Sequence, residues 1–294
     1  MTTVHFPVLC AEMLEGLAIK PDGTYIDATA GLGGHSGQIA KRLDGGGRLY
    51  SCDRDAESLE MAKASCAENA AESFDRIEFV HTPFSRLKER LAALQAGKAN
   101  GFVADLGVSR MQLTTPDRGF SFMSDGPLDM RMDRSEGETA ADIVNFTPEK
   151  ELADLIYKYG EERRSRHIAR AIMRARPIRT TKHLADVIQS AAPRMGKIHS
   201  ATLSFQALRI VVNGELDEIE SLLAVIPDLM QSGGRVAMIS FHSLEDRLLK
   251  KQFQQWAREG KAKILTKHVM KPTAAEINAN AASRSAKLRL VEMT

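Results

Sequence analysis

Cysteine is scarce in this sequence of 294 residues: Cys10, Cys52 and Cys66 are all there is. Thiols this few and scattered exclude a disulfide framework, and no pair has zinc-site spacing, so buried thiols and no metal centre are expected. Long apolar runs are absent as well. None approaches the roughly 18 residues that a membrane-spanning helix needs. The opening MTTVHFPVLC has neither the basic nor the apolar region of a signal peptide. A soluble cytoplasmic protein without membrane contact is the expectation. Charge of one sign is missing too: 40 Lys and Arg against 38 Asp and Glu leave a net charge of +2. Whole-chain electrostatics therefore does not mark a nucleic-acid binder, and any basic surface has to be local. There are no internal repeats or long low-complexity tracts. What is present, 43% hydrophobic residues, is enough for one large domain or two unequal ones.

Short β-rich runs alternate with amphipathic stretches in the first third. TYIDAT, RLYSCD, RIEFVHT and GFVADLG each precede polar or glycine-bearing sequence, and segments such as SLEMAKASCAENA lie between them. Repeated βα of this kind predicts a parallel α/β sheet whose strands present their carboxyl ends on one edge, where ligands bind at the topological switch point. From about Leu113 to Asn213 the alternation stops and a helical insertion is expected. Thr147 and Pro148 read as an N-cap and first-turn proline, Leu152, Leu155, Ile156 and Tyr159 as one apolar face, and Gly160 as the stop. Further helices are predicted from near Glu161 to Arg176-Pro177, from Thr181, and around Phe205, Leu208 and Val212. Strand rhythm resumes with GGRVAMISFHS, followed by a helix through EDRLLKKQFQQWA and two late β-like runs, KILTKHVM and AKLRLVEM.

The first strand runs into DATAGLGGHSG. Gly31, Gly33 and Gly37 give GxGxxxG, one residue too long for the third glycine of a dinucleotide fingerprint, and there is no phosphate-loop lysine. Aligned on Asp27 the pattern is acid-x-Thr-x-Gly-x-Gly, close to motif I of S-adenosylmethionine-dependent methyltransferases. A carboxylate at the mouth, the position expected for Asp27, suits an ammonium or sulfonium ligand and repels a pyrophosphate. Asp53, at the end of the second strand, is placed to accept hydrogen bonds from both hydroxyls of an adenosine ribose, which suits NAD and S-adenosylmethionine equally. Its plain alternative is an acid that opens the next helix. Asp105 ends the fourth strand, expected beside the first, and is the candidate catalytic acid; a helix N-cap is its alternative. Phe84, in TPFS after the third strand, either packs on adenine or is a core ring.

The resemblance becomes specific with DLGVSRMQLTTPDRGFSFMSDGPLDMRMD, preceded by GGHS and followed by YGEER, FQALRIVVN, SFHSLEDR and SRSAKLR. Over nearly its whole length the chain resembles the ribosomal RNA small subunit methyltransferase H family, also called MraW. That resemblance implies a class I methyltransferase (Rossmann-like) α/β fold: a parallel sheet with an antiparallel C-terminal strand and an inserted all-helical domain. The methyltransferase domain would comprise 1–112 and 214–294, and the substrate-recognition insertion 113–213. It implies methyl transfer from S-adenosylmethionine to the exocyclic N4 of a cytidine in small-subunit (16S) ribosomal RNA near the decoding centre. The cofactor contacts it implies fall on Gly33, Gly34, His35, Asp53, Phe84, Asp105 and Gln112, all present. The family's usual SSPQ, HPATRTFQALR and NPRxRSAKLR read SRMQ, HSATLSFQALR and NAASRSAKLR here.

A cytosine amino group shares its lone pair with the ring, so positioning is expected to dominate the chemistry. Alignment supplies roughly 7 to 11 kcal/mol, against about 10² to 10⁴-fold for proton transfer to a side chain. Asp105 is the preferred acceptor, with His35 and the segment from Ser240 to Ser243 as neighbours; Ser240 and His242 complete the catalytic candidates. Ser243 with Asp246 also fits a capping box that merely starts a helix. The loop Gly126 to Asp133 is a candidate to close over the cofactor or meet RNA through Arg131, with methionine packing as its alternative. Arg163, Arg166, Arg170 and Arg174 recur on one helix face, with Arg176, Arg179 and Lys182 beyond. Arg166, Arg170 and Arg174 are candidate contacts to the RNA or small ribosomal subunit; a solvated face paired with Glu161 and Glu162 is the plain alternative. A homodimer, an NAD-dependent oxidoreductase and a non-catalytic ribosome-assembly factor stay open at this point.

Overall fold

The computed structural model of the protein describes residues 7–193 and 199–294. In chain order its elements are α1 (Cys10–Leu17), β1 (Thr24–Asp27), α2 (Gly34–Ala40), β2 (Arg48–Asp53), α3 (Ala56–Asn69), β3 (Ile77–His81), α4 (Leu87–Ala93), β4 (Ala99–Asp105) and α5 (Arg110–Thr114). There follow α6 (Ala140–Phe146), α7 (Glu149–Gly160), α8 (Ser165–Ala175), α9 (Thr181–Ala191), α10 (Thr202–Asn213), α11 (Glu215–Leu229), β5 (Met230–Ser240), α12 (Ser243–Arg258), β6 (Ala262–Ile264), α13 (Ala274–Ala279) and β7 (Lys287–Met293). The chain divides into two compact units, Met1–Gly107 with Asp217–Thr294, and Val108–Leu216.

The first unit is built on a seven-stranded sheet of order β3-β2-β1-β4-β5-β7-β6. Strands β1 to β5 pair in parallel, and β7 runs antiparallel to both of its neighbours. Continuous apolar stretches such as Val236 to Ile239 are fully buried, as strands covered by helices on both faces must be. Met13, Leu14 and Leu17 of α1 share a core with Tyr25, Leu49, Val103, Ile239 and Leu288. Chain order reverses between β1 and β4, which puts the switch point beside the glycine-rich turn. The late run KILTKHVM is mostly not a strand: β6 ends at Ile264, and Met270 makes only an isolated bridge with Leu288. Cys52 and Cys66 are buried and Cys10 half-buried. Burial pushes the thiols of Cys10 and Cys66 up to about 11, which keeps them protonated and inert at neutral pH.

The second unit is helical, with a core drawn from α6 to α10 and the loop before them. Its local chemistry differs from expectation in three places. Pro148 is the N-cap of α7, while Thr147 closes α6, a short helix that begins with a capping box between Thr139 and Asp142. Helix α8 starts at Ser165, because Glu162 accepts a hydrogen bond from the Arg164 backbone (2.8 Å) and pairs with its guanidinium. Gly160 is the last helical residue of α7, and the stop is Glu161 in the left-handed region (φ 53°). Glycine is needed at 160 for another reason: a Cβ there would lie 2.5 Å from the carbonyl oxygen of Leu203, at the start of α10.

The loop Gly126 to Asp133 is fixed from within. Asn213, buried at the end of α10, donates to the Met130 carbonyl (2.8 Å) and accepts from the Met132 backbone (2.7 Å). The buried Arg118 guanidinium donates to the carbonyls of Arg131 (3.0 Å) and Met132 (2.9 Å). Met130 and Met132 are core residues, so the packing alternative describes them. Gly160→Ala should force α7 and α10 apart and cost about 1–3 kcal/mol; a thermal melt at least several degrees lower checks it, and an unchanged melt would contradict the close approach.

Candidate active site

The site is set by a step in the sheet edge. Asp27 stands opposite Ser51 of β2 and Val103 of β4, whereas β2 and β4 run two residues further, to Asp53 and Asp105. At ~3.3 Å per residue the step is about 6.6 Å deep. The chain leaving β1 fills it. Ala28 N donates to the Val103 carbonyl (2.9 Å), Ala30 N to the Cys52 carbonyl (2.7 Å) and Gly31 N to Asp53 Oδ2 (2.8 Å), so the turn crosses from the β4 side to the β2 side. Thr29 ties the crossing down: its backbone N donates to Asp27 Oδ1 (3.0 Å) and its hydroxyl accepts from the Asp105 backbone N (2.7 Å). Gly33 then caps α2 at φ 81°, where a Cβ would lie 2.8 Å from the Ala62 carbonyl oxygen of α3. Turn and close approach together require glycine.

Asp27 is not at the mouth. It is fully buried; Oδ2 accepts from Ser36 Oγ (2.6 Å), and that hydroxyl also meets Ser51 Oγ (2.7 Å). The register explains the correction, since a side chain at the bottom of the step lies beneath the turn. Burial pushes its carboxyl up to about 7, against the lowering effect of the bonds from Ser36 and Thr29. Its work is to hold the turn.

Asp53 and Asp105 rim the step. Asp53 accepts from Gly31 N through one oxygen and from Asp55 N (2.9 Å) through the other. It does not cap α3, because Asp55 does, accepting from Glu57 N and Ser58 N. Burial raises the Asp53 carboxyl to about 6, with those two backbone bonds opposing. Asp105 is no helix cap either: α5 is capped by Ser109. Asp105 Oδ2 lies 3.8 Å from His35 Nδ1, while its buried Oδ1 has no hydrogen-bond partner among the described residues. Burial, then the charges of Asp27 and Glu245, push its carboxyl well above the usual range. His35 is buried in the first turn of α2, with Nε2 3.0 Å from the Val8 carbonyl oxygen. That oxygen only accepts, so Nε2 carries the hydrogen and Nδ1 faces Asp105. Gly34 opens α2 beneath Pro7, and Leu9 N donates to Glu276 Oε1 of α13 (2.8 Å), which anchors this entering segment. Phe84 is half-buried just beyond β3, brought to the end of β2 by Thr82 N donating to the Asp53 carbonyl (2.8 Å).

Ser240 ends β5 next to Ile239, the register partner of Asp105; it is fully buried, and its Oγ has no partner among the described residues. His242 is the N-cap of α12. Its Nδ1 accepts from Glu245 N (3.4 Å), and Glu245 Oε2 accepts from the backbones of His242 (3.2 Å) and Phe241 (2.8 Å). The capping box is therefore His242 with Glu245 and not Ser243 with Asp246. Asp246 is taken by Arg289 (2.8 Å) and Lys287 (3.1 Å) of β7, two of the three basic residues of the SRSAKLR signature.

The remaining candidates belong to the helical unit. Gln112 is buried and closes a capping box on α5, its Oε1 accepting from Ser109 N (2.9 Å). Arg131 is engaged through two of its nitrogens by Asp129, at 2.8 and 3.0 Å. Arg166, Arg170 and Arg174 are exposed along α8, opposite its buried face of Ile168, Ala169 and Ile172. Glu162, one of the two acids expected to neutralise them, is buried against Arg164 instead. Sequence reasoning passed over Ser36, Ser51 and the bridging role of Thr29. The serine directly after GGH was a local signal for the first; nothing local marks the others.

The family model for the MraW methylase family matches residues 2–294. The chain belongs to this family. It is 56% identical to "Ribosomal RNA small subunit methyltransferase H" of Solibacter usitatus (strain Ellin6076) over 99% of this chain and 100% of that one. The protein of the same name from Koribacter versatilis (strain Ellin345) is 50% identical over 97% of this chain and 92% of its own. Among solved structures, an rRNA methylase from Streptococcus thermophilus aligns with TM-score 0.44 at 10% identity, covering 97% of this chain and 95% of its own. With the strand order above, membership of a methylase family makes the fold that of a class I, Rossmann-like methyltransferase and removes the NAD reading. No helix among the described residues is long and apolar enough to cross a membrane.

An acid raised by burial holds a proton in the folded state that the unfolded chain has already lost. For Asp27, stability therefore falls as pH climbs from about 4 towards about 7. An asparagine keeps the Thr29 bond and can donate to Ser36, whose hydroxyl then turns to Ser51. Asp27→Asn should raise the melting temperature near pH 8, by ~2–4 °C per kcal/mol recovered, and the gain should shrink as pH falls and vanish below about pH 4. A gain independent of pH would refute the titration.

Proposed function

We propose that the protein transfers a methyl group from S-adenosylmethionine to the exocyclic N4 of a cytidine in small-subunit (16S) ribosomal RNA near the decoding centre, in the cytoplasm. The observation that carries this reading is the partly exposed Asp105 carboxyl at the rim of the step, one oxygen of which has no hydrogen-bond partner among the described residues, beside a turn whose backbone only glycine can follow. Support comes also from the family and from the name shared by relatives up to 56% identical. When bound, S-adenosylmethionine supplies an electrophilic methyl on a sulfonium centre.

The chain's own residues fit such a ligand. Gly33, Gly34 and His35, the contacts carried over from the family at the start of α2, offer it their backbone. Asp53 retains lone pairs beyond its two backbone bonds and accepts from the ribose hydroxyls. Phe84 lies beyond β3 for the adenine, and Gln112 completes the set carried over from the family. Two rim carboxylates raised by burial favour a cation, whose charge offsets the cost of ionising them. The Asp105 carboxylate, about a quarter of whose side chain (24%) is exposed at the rim, then accepts a hydrogen bond from the cytosine amino group, orients its lone pair and receives its proton as the N–C bond forms. Ser240 provides a hydroxyl beside Asp105 at the end of β5. His242 acts by fixing the start of α12 directly after it. The target base must leave its stack to reach this rim. The helical unit recognises the RNA.

Transfer of labelled methyl to small-subunit RNA, with the product nucleoside identified by mass spectrometry, tests the reading. No transfer by the folded protein would leave a non-catalytic assembly factor. Asp105→Ala should mainly lower turnover, by about 10² to 10⁴-fold, with a smaller loss of cofactor affinity than Asp53→Ala causes. Asp53→Ala should weaken cofactor binding by at least about tenfold, for the loss of charge-assisted bonds worth roughly 1.5–3 kcal/mol each. Equal, small effects of both changes on both constants would overturn these roles.

A further inference from the structure

The exposed side of α8 carries cations and no acids: Ser165–Ala175 reads SRHIARAIMRA. Arg166 and Arg174 make no ion pair among the described residues, and Arg170 has only the largely exposed Glu149, at 3.6 Å. Alongside runs an open groove of about 460 Å³, lined on one wall by His167, Arg170 and Arg174 of α8 and on the other by Asp186 and Ser190 of α9. At the C-terminal end of α8 stands an aromatic ring with no packing role: Phe146 is 79% exposed. It is nevertheless held firmly. Arg176 donates to the carbonyls of Val144 (2.8 Å) and Thr147 (2.5 Å), and Asn145 exchanges hydrogen bonds with the backbone of Ile178 at 2.7 and 2.8 Å.

A row of arginines, of which only Arg170 has an acid near it, beside an exposed ring on a firmly held backbone segment matches the needs of single-stranded nucleic acid, where phosphates track cations and bases stack on aromatics. The one acid in the groove fits as well, since a ribose 2′-hydroxyl is a donor that DNA lacks. We propose that this face binds a single-stranded stretch of the RNA substrate: Arg170 and Arg174 hold phosphates, Asp186 accepts from a 2′-hydroxyl, and Phe146 stacks on a base. The proposal rests on the reading of the protein as an RNA methyltransferase and names the surface that grips the substrate.

The test measures binding of fluorescent oligouridylate and of oligodeoxyuridylate of equal length, over a range of salt concentrations. Each phosphate of a single strand that is no longer neutralised lowers the slope of log K against log salt by ~0.7, so the Arg170→Ala/Arg174→Ala double variant should lose about 1.4. The Arg170→Lys/Arg174→Lys pair should keep the slope. Phe146→Ala should weaken binding about tenfold with the slope unchanged, and Asp186→Ala should narrow the preference for RNA over DNA. S-adenosylmethionine binding by calorimetry should be the same in all variants, which controls for folding. An unchanged slope in the double alanine variant would overturn the proposal. Equal binding of polyglutamate would do so too, by assigning the face to an acidic protein. Failure of the parent protein to methylate RNA would count against the proposed function, whereas the oligonucleotide slopes read the groove alone.

Discussion

A register difference underlies the whole site. Because β1 stops short of β2 and β4, the chain leaving it drops into a notch whose walls supply hydrogen-bond acceptors: the carbonyls of Val103 and Cys52 and the carboxylate of Asp53. A turn satisfied from both sides needs no side chains of its own, which is why glycines suffice and why the backbone stays bare towards the edge. The buried carboxyl of Asp27 then serves as a peg, joining Ser36 of the following helix to the start of the turn. Shift the register by one residue and the peg would point to the other face of the sheet.

The electrostatic consequence is a cluster of acids that does not favour being charged all at once. Asp27, Asp53 and Asp105 end three adjacent strands, and burial raises all of them. A cation arriving at the rim relieves this conflict, and a neutral ligand of the same shape does not. Under the proposed function, the cluster distinguishes a sulfonium from the thioether left after transfer by charge, in addition to the missing methyl.

Much of this was legible in the sequence, and the parts that were not share a cause. Strands β1 to β4 stood out because short β-rich runs gave way to polar or glycine-bearing sequence, all local signals. Asp53 and Asp105 could be assigned to one edge because parallel crossovers leave little choice. The depth of Asp27 could not, since it depends on how far β2 and β4 extend. The start of α12 looked capped by Ser243 and Asp246, but β7 claims Asp246 from more than forty positions away, at Lys287 and Arg289, and leaves the cap to His242 and Glu245. Gly160 looked like a stop because glycine commonly is one; its partner is the backbone of Leu203, which no local window contains. Helix α6 was missed although Thr139 and Asp142 announce it, because seven residues are too few for a periodic pattern.

The position of β7 has a further implication for how the molecule comes into being. Its residues, 287–293, lie between β5 and β6, so these two strands stay unjoined until that segment has been synthesised. The segment that carries Val8 towards His35 is moored to Glu276 and likewise waits for late sequence. Residues 108–216, by contrast, are contiguous and complete much earlier. During translation the helical unit can therefore mature before β7 joins β5 to β6.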